Sequence, residues 1–408
     1  MASEHFRKQF PQLGEKVYGK TLVYLDNAAT SQRPLQVLDK WEEMSSRFNA
    51  NIHRAVHRLA DSATQEYESA RDAVAGFLNA SRDEIVFTSG TTMSANMAAF
   101  IFGERFVSEG DEIIVTEAEH HSNIVPWHMM CQRRKAVFKV LPFDESGHLD
   151  VAALDDLISD RTRIVCVAQI SNVLGLRNPV REISDICHRR GCRIFVDGAQ
   201  GAVHEKTDVR ELDCDFYAFS GHKIYAPTGT GVLYCKKELL EQLPPYMGGG
   251  EMIESVKWSE ITYTRIPHRF EAGTQNFNGV PALKPALEIA REMREDSSTT
   301  EEQRRITEYV YSSLMRDPEI RLFGVPRHLE EKVPLFSFCV RGAHHEDIAL
   351  IMDKMGVALR SGQMCAEPLM DRFGVTGMLR ASFAPYNTLA EAEYFVESLH
   401  KAIKMIKG

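Results

Sequence analysis

The chain has 408 residues, 44% of them hydrophobic, and a formal net charge of −9, which is enough chain for two domains with cores of their own. The acidic balance excludes nonspecific attraction to nucleic acid or to an anionic membrane, because either needs a basic face. No apolar run approaches the roughly 18 residues of a membrane span, and charges interrupt Met1–Phe10 where a signal peptide would be apolar, so a cytoplasmic location is expected.

From Thr21 to about Val280, short apolar runs alternate with amphipathic helical segments, the pattern of a helix-covered sheet. Strands are predicted over Leu22–Leu25, Glu84–Phe87, Glu112–Thr116, Val137–Pro142, Arg163–Ile170, Arg193–Val196, Phe216–Ser220 and Gly231–Cys235. Pro34 opens one intervening helix at its first turn and Gly191 closes another. A mostly parallel α/β sheet follows from this alternation. A polar helical stretch runs from Pro281 to about Met315, its charge-rich part Arg291–Arg305 reading as a solvated face or connector. Beyond it, strands over Leu335–Val340, Val357–Arg360 and Leu379–Phe383 alternate with helices, as in a smaller α+β domain. The last helix, Leu389–Ile406, places Tyr394, Phe395, Leu399, Ala402, Ile403 and Ile406 on one core-facing stripe. The expected division is a large domain over 21–285 and a small one over 286–408, with segment 1–20 packing on the latter.

No metal is expected. The eight cysteines show no paired framework, and several sit in apolar runs where a thiol behaves as a small hydrophobe. Cys187 and Cys192 lack a second pair for zinc. His120 and His121, adjacent on an extended chain, point to opposite sides, and His344-His345 reads as a loop or cap pair.

Ser220-Gly221-His222-Lys223 follows the apolar run Phe216–Phe219 and precedes Pro227, Gly229 and Gly231. A lysine at a strand end is a Schiff-base candidate if burial or a nearby cation lowers its pKa from about 10.4; a surface lysine is the rival reading. Val196-Asp197-Gly198-Ala199-Gln200 ends another strand in a carboxylate. Ligands of parallel sheets lie beyond the carboxyl ends of the strands, so Asp197 and Lys223 point into one crevice. Pyridoxal phosphate (PLP) needs that pair, an amine for its aldehyde and a carboxylate that keeps its pyridine nitrogen protonated. Ser89-Gly90-Thr91-Thr92 precedes the helical pattern Met93–Phe106 and offers N–H groups and hydroxyls to a phosphate, joined by Ser220 and His222; a plain N-cap is the alternative.

Glu119-His120-His121 follows another strand end, and an imidazole there suits both stacking on a pyridine ring and proton transfer. Arg360-Ser361-Gly362-Gln363-Met364-Cys365 lies past a small-domain strand. Cys365 stands outside the apolar strands and near Arg360, whose charge favours thiolate; an inert loop thiol is the alternative. Arg380, inside a strand-like run, fits a substrate α-carboxylate through its planar fork, or else a structural ion pair.

Together these segments resemble the SufS-type cysteine desulfurases, a group that includes selenocysteine lyases. The likeness runs nearly end to end, through Tyr24-Leu25-Asp26-Asn27-Ala28-Ala29, His53-Arg54, Gly90-Thr91-Thr92, Glu119-His120-His121-Ser122-Asn123-Ile124-Val125-Pro126-Trp127, Ser171-Asn172-Val173-Leu174-Gly175, Val196–Gln200, Ser220–Lys223, Phe270-Glu271-Ala272-Gly273-Thr274 and Arg380-Ala381-Ser382. It implies the aspartate-aminotransferase-like fold of PLP enzymes called type I, a homodimer with active sites near the subunit boundary, and conversion of L-cysteine to L-alanine with sulfur left as an enzyme persulfide for iron–sulfur cluster assembly. L-Selenocysteine is the alternative substrate.

By position, the resemblance makes Lys223 the Schiff-base residue, pairs Asp197 with the pyridine nitrogen, and brings Gln200 to the ring hydroxyl. His120 stacks on the ring, Thr91, Thr92, Ser220 and His222 hold phosphate, and Thr274 reaches the neighbouring subunit's phosphate. Asn172, Arg380, Arg360 and His53 line the substrate pocket, and Cys365 receives sulfur. The stretch Gly248–Arg265 resembles a hairpin that the family places by the cleft. Relatives carry histidines just before the sulfur-accepting cysteine, where this chain has Gln363 and Met364, so proton transfer is assigned to His120. The short loop around Cys365 resembles the subgroup served by a dedicated sulfur-acceptor protein of the Suf system.

Overall fold

The computed structural model describes residues 3–408; Met1 and Ala2 of the predicted segment 1–20 lie outside the described residues. Alternation along seven strands decides the architecture: β1 (Ile85–Thr88), β2 (Glu112–Thr116), β3 (Val137–Leu141), β4 (Thr162–Ala168), β5 (Arg193–Asp197), β6 (Phe216–Ser220) and β7 (Gly231–Cys235). Successive side chains leave opposite faces, and most are apolar, so both faces must be covered. Ile114, Val165, Ile194, Val196, Tyr217 and Phe219 feed one core, while their neighbours Ile113, Ile164, Phe195, Phe216 and Ala218 feed a second on the other face.

The strands form one sheet in the order β1-β7-β6-β5-β4-β2-β3. Neighbours pair in parallel except that β7 runs antiparallel to both β1 and β6. A projecting hairpin, β8 (Ile253–Lys257) and β9 (Glu260–Tyr263), follows. A second sheet, wholly antiparallel, contains β10 (Ile320–Phe323), β11 (Leu335–Val340), β12 (Arg360–Gly362) and β13 (Met378–Ser382) in the order β10-β11-β13-β12.

Five helices matter for the site: α1 (Arg58–Leu78), α2 (Thr91–Phe106), α3 (Leu283–Glu295), α4 (Ser297–Arg316) and α5 (Leu389–Lys407). The single helical stretch predicted from Pro281 to Met315 breaks at Asp296, whose carboxylate accepts the Thr299 N–H at 2.7 Å and so starts α4 as a new helix. The predicted strand Val357–Arg360 also divides. Val357–Ala358 pairs in parallel with Val23–Tyr24, and the chain joins the second sheet only from Arg360. The N-terminal segment touches both parts: Arg7 pairs with Glu391 of α5 at 2.9 Å, while Phe10 stacks on Tyr225 and Tyr386. No helix among the described residues is long and apolar enough to cross a membrane.

Candidate active site

The carboxyl ends of β4, β5 and β6 and the start of α2 open on a cleft of about 320 Å3, closed from the side of the second sheet by Arg360, Met364, Cys365 and Arg380. Asp197 ends β5, and Ser220 ends the neighbouring β6. A single turn, Gly221–Lys223, then carries Lys223 into the same cleft. Burial pushes the Lys223 amine below the ordinary lysine range against the attraction of Asp197, and the Arg380 charge adds to the shift. Burial raises the Asp197 carboxyl, while the Lys223 charge and the Ala199 N–H, 2.9 Å from Oδ1, pull it back. The two groups are an acid and an amine that feel each other's charge on one cleft, Asp197 buried and Lys223 half-buried.

At the sheet's edge, Gly90 has φ +151° and turns the chain into α2. A Cβ on Gly231 of β7 would stand 2.3 Å from Gly90 Cα, so strand and turn approach as only glycine permits. This brings the Thr91 N–H and hydroxyl each to 2.8 Å from Ser220 Oγ. Thr91, Thr92, Ser220 and His222 thus meet at the N-terminus of a sixteen-residue helix, where free N–H groups and hydroxyls suit a phosphate. Burial lowers His222 to about 4, and Lys223 adds to the shift, so the ring is neutral; its Nδ1 lies 3.3 Å from Thr30 Oγ1. Gln200 also lines the cleft, its Nε2 donating to the Ala28 carbonyl at 2.9 Å.

His120 has a fixed tautomer. The Ser122 N–H donates to its Nδ1 at 3.0 Å, so Nδ1 carries the lone pair and the proton sits on Nε2. Burial, helped by Lys223, lowers its pKa to about 3. Beneath it, the buried Glu119 carboxylate accepts from Thr116, Asn123 and the Ala168 N–H at 2.5, 2.7 and 2.8 Å, tying the ends of β2 and β4 to the His120 segment. Burial nevertheless lifts this carboxyl to about 7.

On β13 of the second sheet, Arg380 is buried, its Nη1 donating to the Asn172 carbonyl at 2.9 Å and its Nη2 lying 3.3 Å from Asp26. Its Nε is buried without a partner among the described residues. Arg360 stands directly across from Arg380 in the strand register and lines the same cleft. This cationic corner, short of acceptors, fits a carboxylate. Asn172 donates from Nδ2 to the Met364 carbonyl at 3.0 Å. Cys365 is the one exposed cysteine of the eight. A half-buried amine and a buried carboxylate, a helix N-terminus with hydroxyls and a guanidinium with an unpartnered Nε together match what PLP and an amino acid require.

Two expected residues lie elsewhere on this chain. His53 binds Glu68 at 3.1 Å and packs on Tyr67 and His268. His53, Glu68 and His268 offer ligand atoms within 4.8 Å of one another, but Arg71 and Arg82 already neutralise that carboxylate. Thr274 lines a separate pocket of about 180 Å3 with Glu271 and Asn276. Sequence reasoning passed over Asp26, Glu119 and Ser122. A carboxylate closing an apolar strand, as at Asp197, was the available signal for Asp26.

The family description Aminotransferase class-V matches residues 23–395. A probable cysteine desulfurase of Vibrio cholerae is 42% identical over 402 residues, covering 98% of this chain and 98% of that one. The crystal structure of the cysteine desulfurase CsdA (S-sulfonic acid) from Escherichia coli superposes with a TM-score of 0.91 at 40% identity over 99% of both chains. The apo cysteine desulfurase of Thermococcus onnurineus NA1 gives 0.92 at 35% identity, again over 99% of both.

Proposed function

Because the chain belongs to the class-V aminotransferase family, we infer that its cleft is the active centre of a SufS-type desulfurase that passes sulfur from Cys365 to a separate acceptor protein for iron–sulfur cluster assembly. The enzyme is a PLP-dependent cysteine desulfurase of fold type I, and L-cysteine is its substrate. The short segment between β12 and the next helix, with Cys365 exposed on it, supports the acceptor-dependent subgroup.

PLP supplies an aldehyde for amines and a protonated ring that draws electron density from the substrate's Cα. Lys223, its basicity lowered by burial, holds the cofactor and then takes the Cα proton on Nζ. Asp197 would hold the proton of the ring nitrogen through a charged hydrogen bond. Thr91, Thr92, Ser220 and His222 would hold the phosphate, Gln200 would serve the ring hydroxyl, and neutral His120, with a proton on Nε2, would stand ready for proton transfer. Arg380, with Asn172 and Arg360 beside it, takes the substrate carboxylate and fixes which bond at Cα lies open to Lys223. Cys365 Sγ attacks the substrate sulfur: an S–S bond forms, the substrate C–S bond breaks, and the carbon gains a proton. Cysteine and enzyme thiol become alanine and enzyme persulfide, with no outside oxidant.

The observation that carries this reading is the meeting of Lys223, Asp197, Arg380 and Cys365 on one cleft. Borohydride reduction of the purified, yellow protein should leave a phosphopyridoxyl mass on the Lys223 peptide. Cys365→Ala should keep the colour and lose persulfide formation; full cysteine turnover by that variant would remove Cys365 from the mechanism.

A further inference from the structure

The segment bearing Cys365 does not hold its own shape. Met364 and Cys365 both have positive φ, 54° and 55°, a left-handed region that is unfavourable for residues with a side chain. Within the segment, the Ala366 N–H to Gln363 carbonyl bond, 3.0 Å, gives local support. Three further ties join the segment to residues 121 and 172. Asn172 donates to the Met364 carbonyl at 3.0 Å, the His121 N–H donates to the Cys365 carbonyl at 2.8 Å, and the Glu367 N–H donates to His121 Nε2 at 3.1 Å. Burial alternates to match, with Met364 and Ala366 inside and Cys365 and Glu367 outside.

We propose that His121 is a positioning residue for Cys365, its imidazole clasping the first N–H of the helix Glu367–Phe373 and so holding two left-handed residues in the arrangement that keeps the thiol on the cleft. The inference rests on the reading of Cys365 as the sulfur acceptor. An acceptor at Nε2 must carry no proton, which puts the hydrogen on Nδ1, the opposite tautomer from His120. The adjacent histidines therefore divide two tasks: His120 faces the cleft with a donor, and His121 faces the small domain with an acceptor. The titratable groups around the His121 ring are the Glu367 carboxylate, 3.9 Å from Nε2, and the neutral His120, 6.3 Å between ring centroids. The His121 ring is the side-chain acceptor on the helix side, so losing it loosens the segment by one of its three ties to residues 121 and 172. A thiol that meets substrate in the cleft and later presents sulfur outward needs such a reversible tie.

The test compares His121→Phe, which keeps the ring and removes the acceptor, with His121→Gln, whose amide oxygen replaces it. Hydrogen exchange at the Glu367 amide reads the clasp, and steady-state alanine release reads its consequence. The phenylalanine variant should exchange that amide about 10-fold faster and lose about 10-fold in kcat, the value of one hydrogen bond, with KM for cysteine changed less than about twofold. Glutamine should restore both. His121→Ala serves if the phenylalanine variant does not fold. Unchanged exchange in the phenylalanine variant, or equal impairment of the glutamine and phenylalanine variants, overturns the proposal. Wild-type protein that releases no alanine would instead defeat the desulfurase reading, while the exchange measurement still tests the clasp.

Discussion

Arg380 sits where a cation is costly. It is buried, it meets one carboxylate, Asp26 at 3.3 Å, and one carbonyl, and its Nε has no partner. A substrate carboxylate supplies the missing acceptors with the geometry of the guanidinium fork. Arg380→Lys keeps the charge and loses the fork, so KM for L-cysteine should rise about 10- to 100-fold, equivalent to ~1.5–3 kcal/mol for a charged hydrogen bond, with the cofactor spectrum unchanged. Steady-state kinetics of alanine release check this; an unaltered KM would leave Arg380 as the ion-pair partner of Asp26 alone. The same residue marks how far sequence carries. A buried arginine announces that it needs a partner, but Asp26 is 354 positions away, and only the folded chain brings them together. Asp197 and Lys223 were legible because a parallel sheet sends its strand ends to one side whatever the rest of the chain does.

Elements closed by long-range contacts were less legible. β1 lies at an edge of the seven-stranded sheet, yet its free edge is occupied by side chains. The Ile85 carbonyl accepts from Arg71 of α1 at 2.8 Å, the Phe87 N–H donates to Glu271 at 2.7 Å, and Arg71 and Glu271 join through two bonds of 2.7 and 2.8 Å. A buried ion pair thus stands in for a neighbouring strand and positions Gly90 and α2 for the phosphate. Arg71→Met leaves Glu271 charged and unpaired inside the protein, and unfolding in urea should show a loss of about 3–5 kcal/mol. Adding Glu271→Gln should recover part of it; equal losses in the single and double variants would deny the coupling. Neither partner stands out in sequence, since Arg71 lies in an ordinary amphipathic helix and Glu271 in an irregular stretch. The break between α3 and α4 had a local signal, Asp296 before two serines. The helical periodicity on both sides masked it.

At the scale of the molecule, the single chain is short of what its relatives' pattern implies. Thr274 and His53, expected beside a phosphate and a substrate, line no part of this chain's cleft. They lie together on another face. Arg54 pairs with Glu251 at 3.1 Å, and the Gly273 N–H donates to the Gly250 carbonyl at 3.0 Å, joining the His53 and Thr274 segments to the base of the β8–β9 hairpin. That hairpin exposes Val256, Trp258, Ile261 and Tyr263, with Val56 and Leu59 also exposed on the His53 side. Apolar surface grouped on one element in this way is what an association site exposes, and residues expected at a cleft but held away from it would be accounted for if a second copy received them. We therefore expect a particle of twice the 46.1 kDa chain mass in sedimentation velocity. Trp258→Asp should shift it toward the monomer and, because each cleft then loses Thr274, weaken PLP retention at the same time. A monomeric variant that keeps its cofactor and full turnover would separate the hairpin from the active site and leave each cleft complete in one chain.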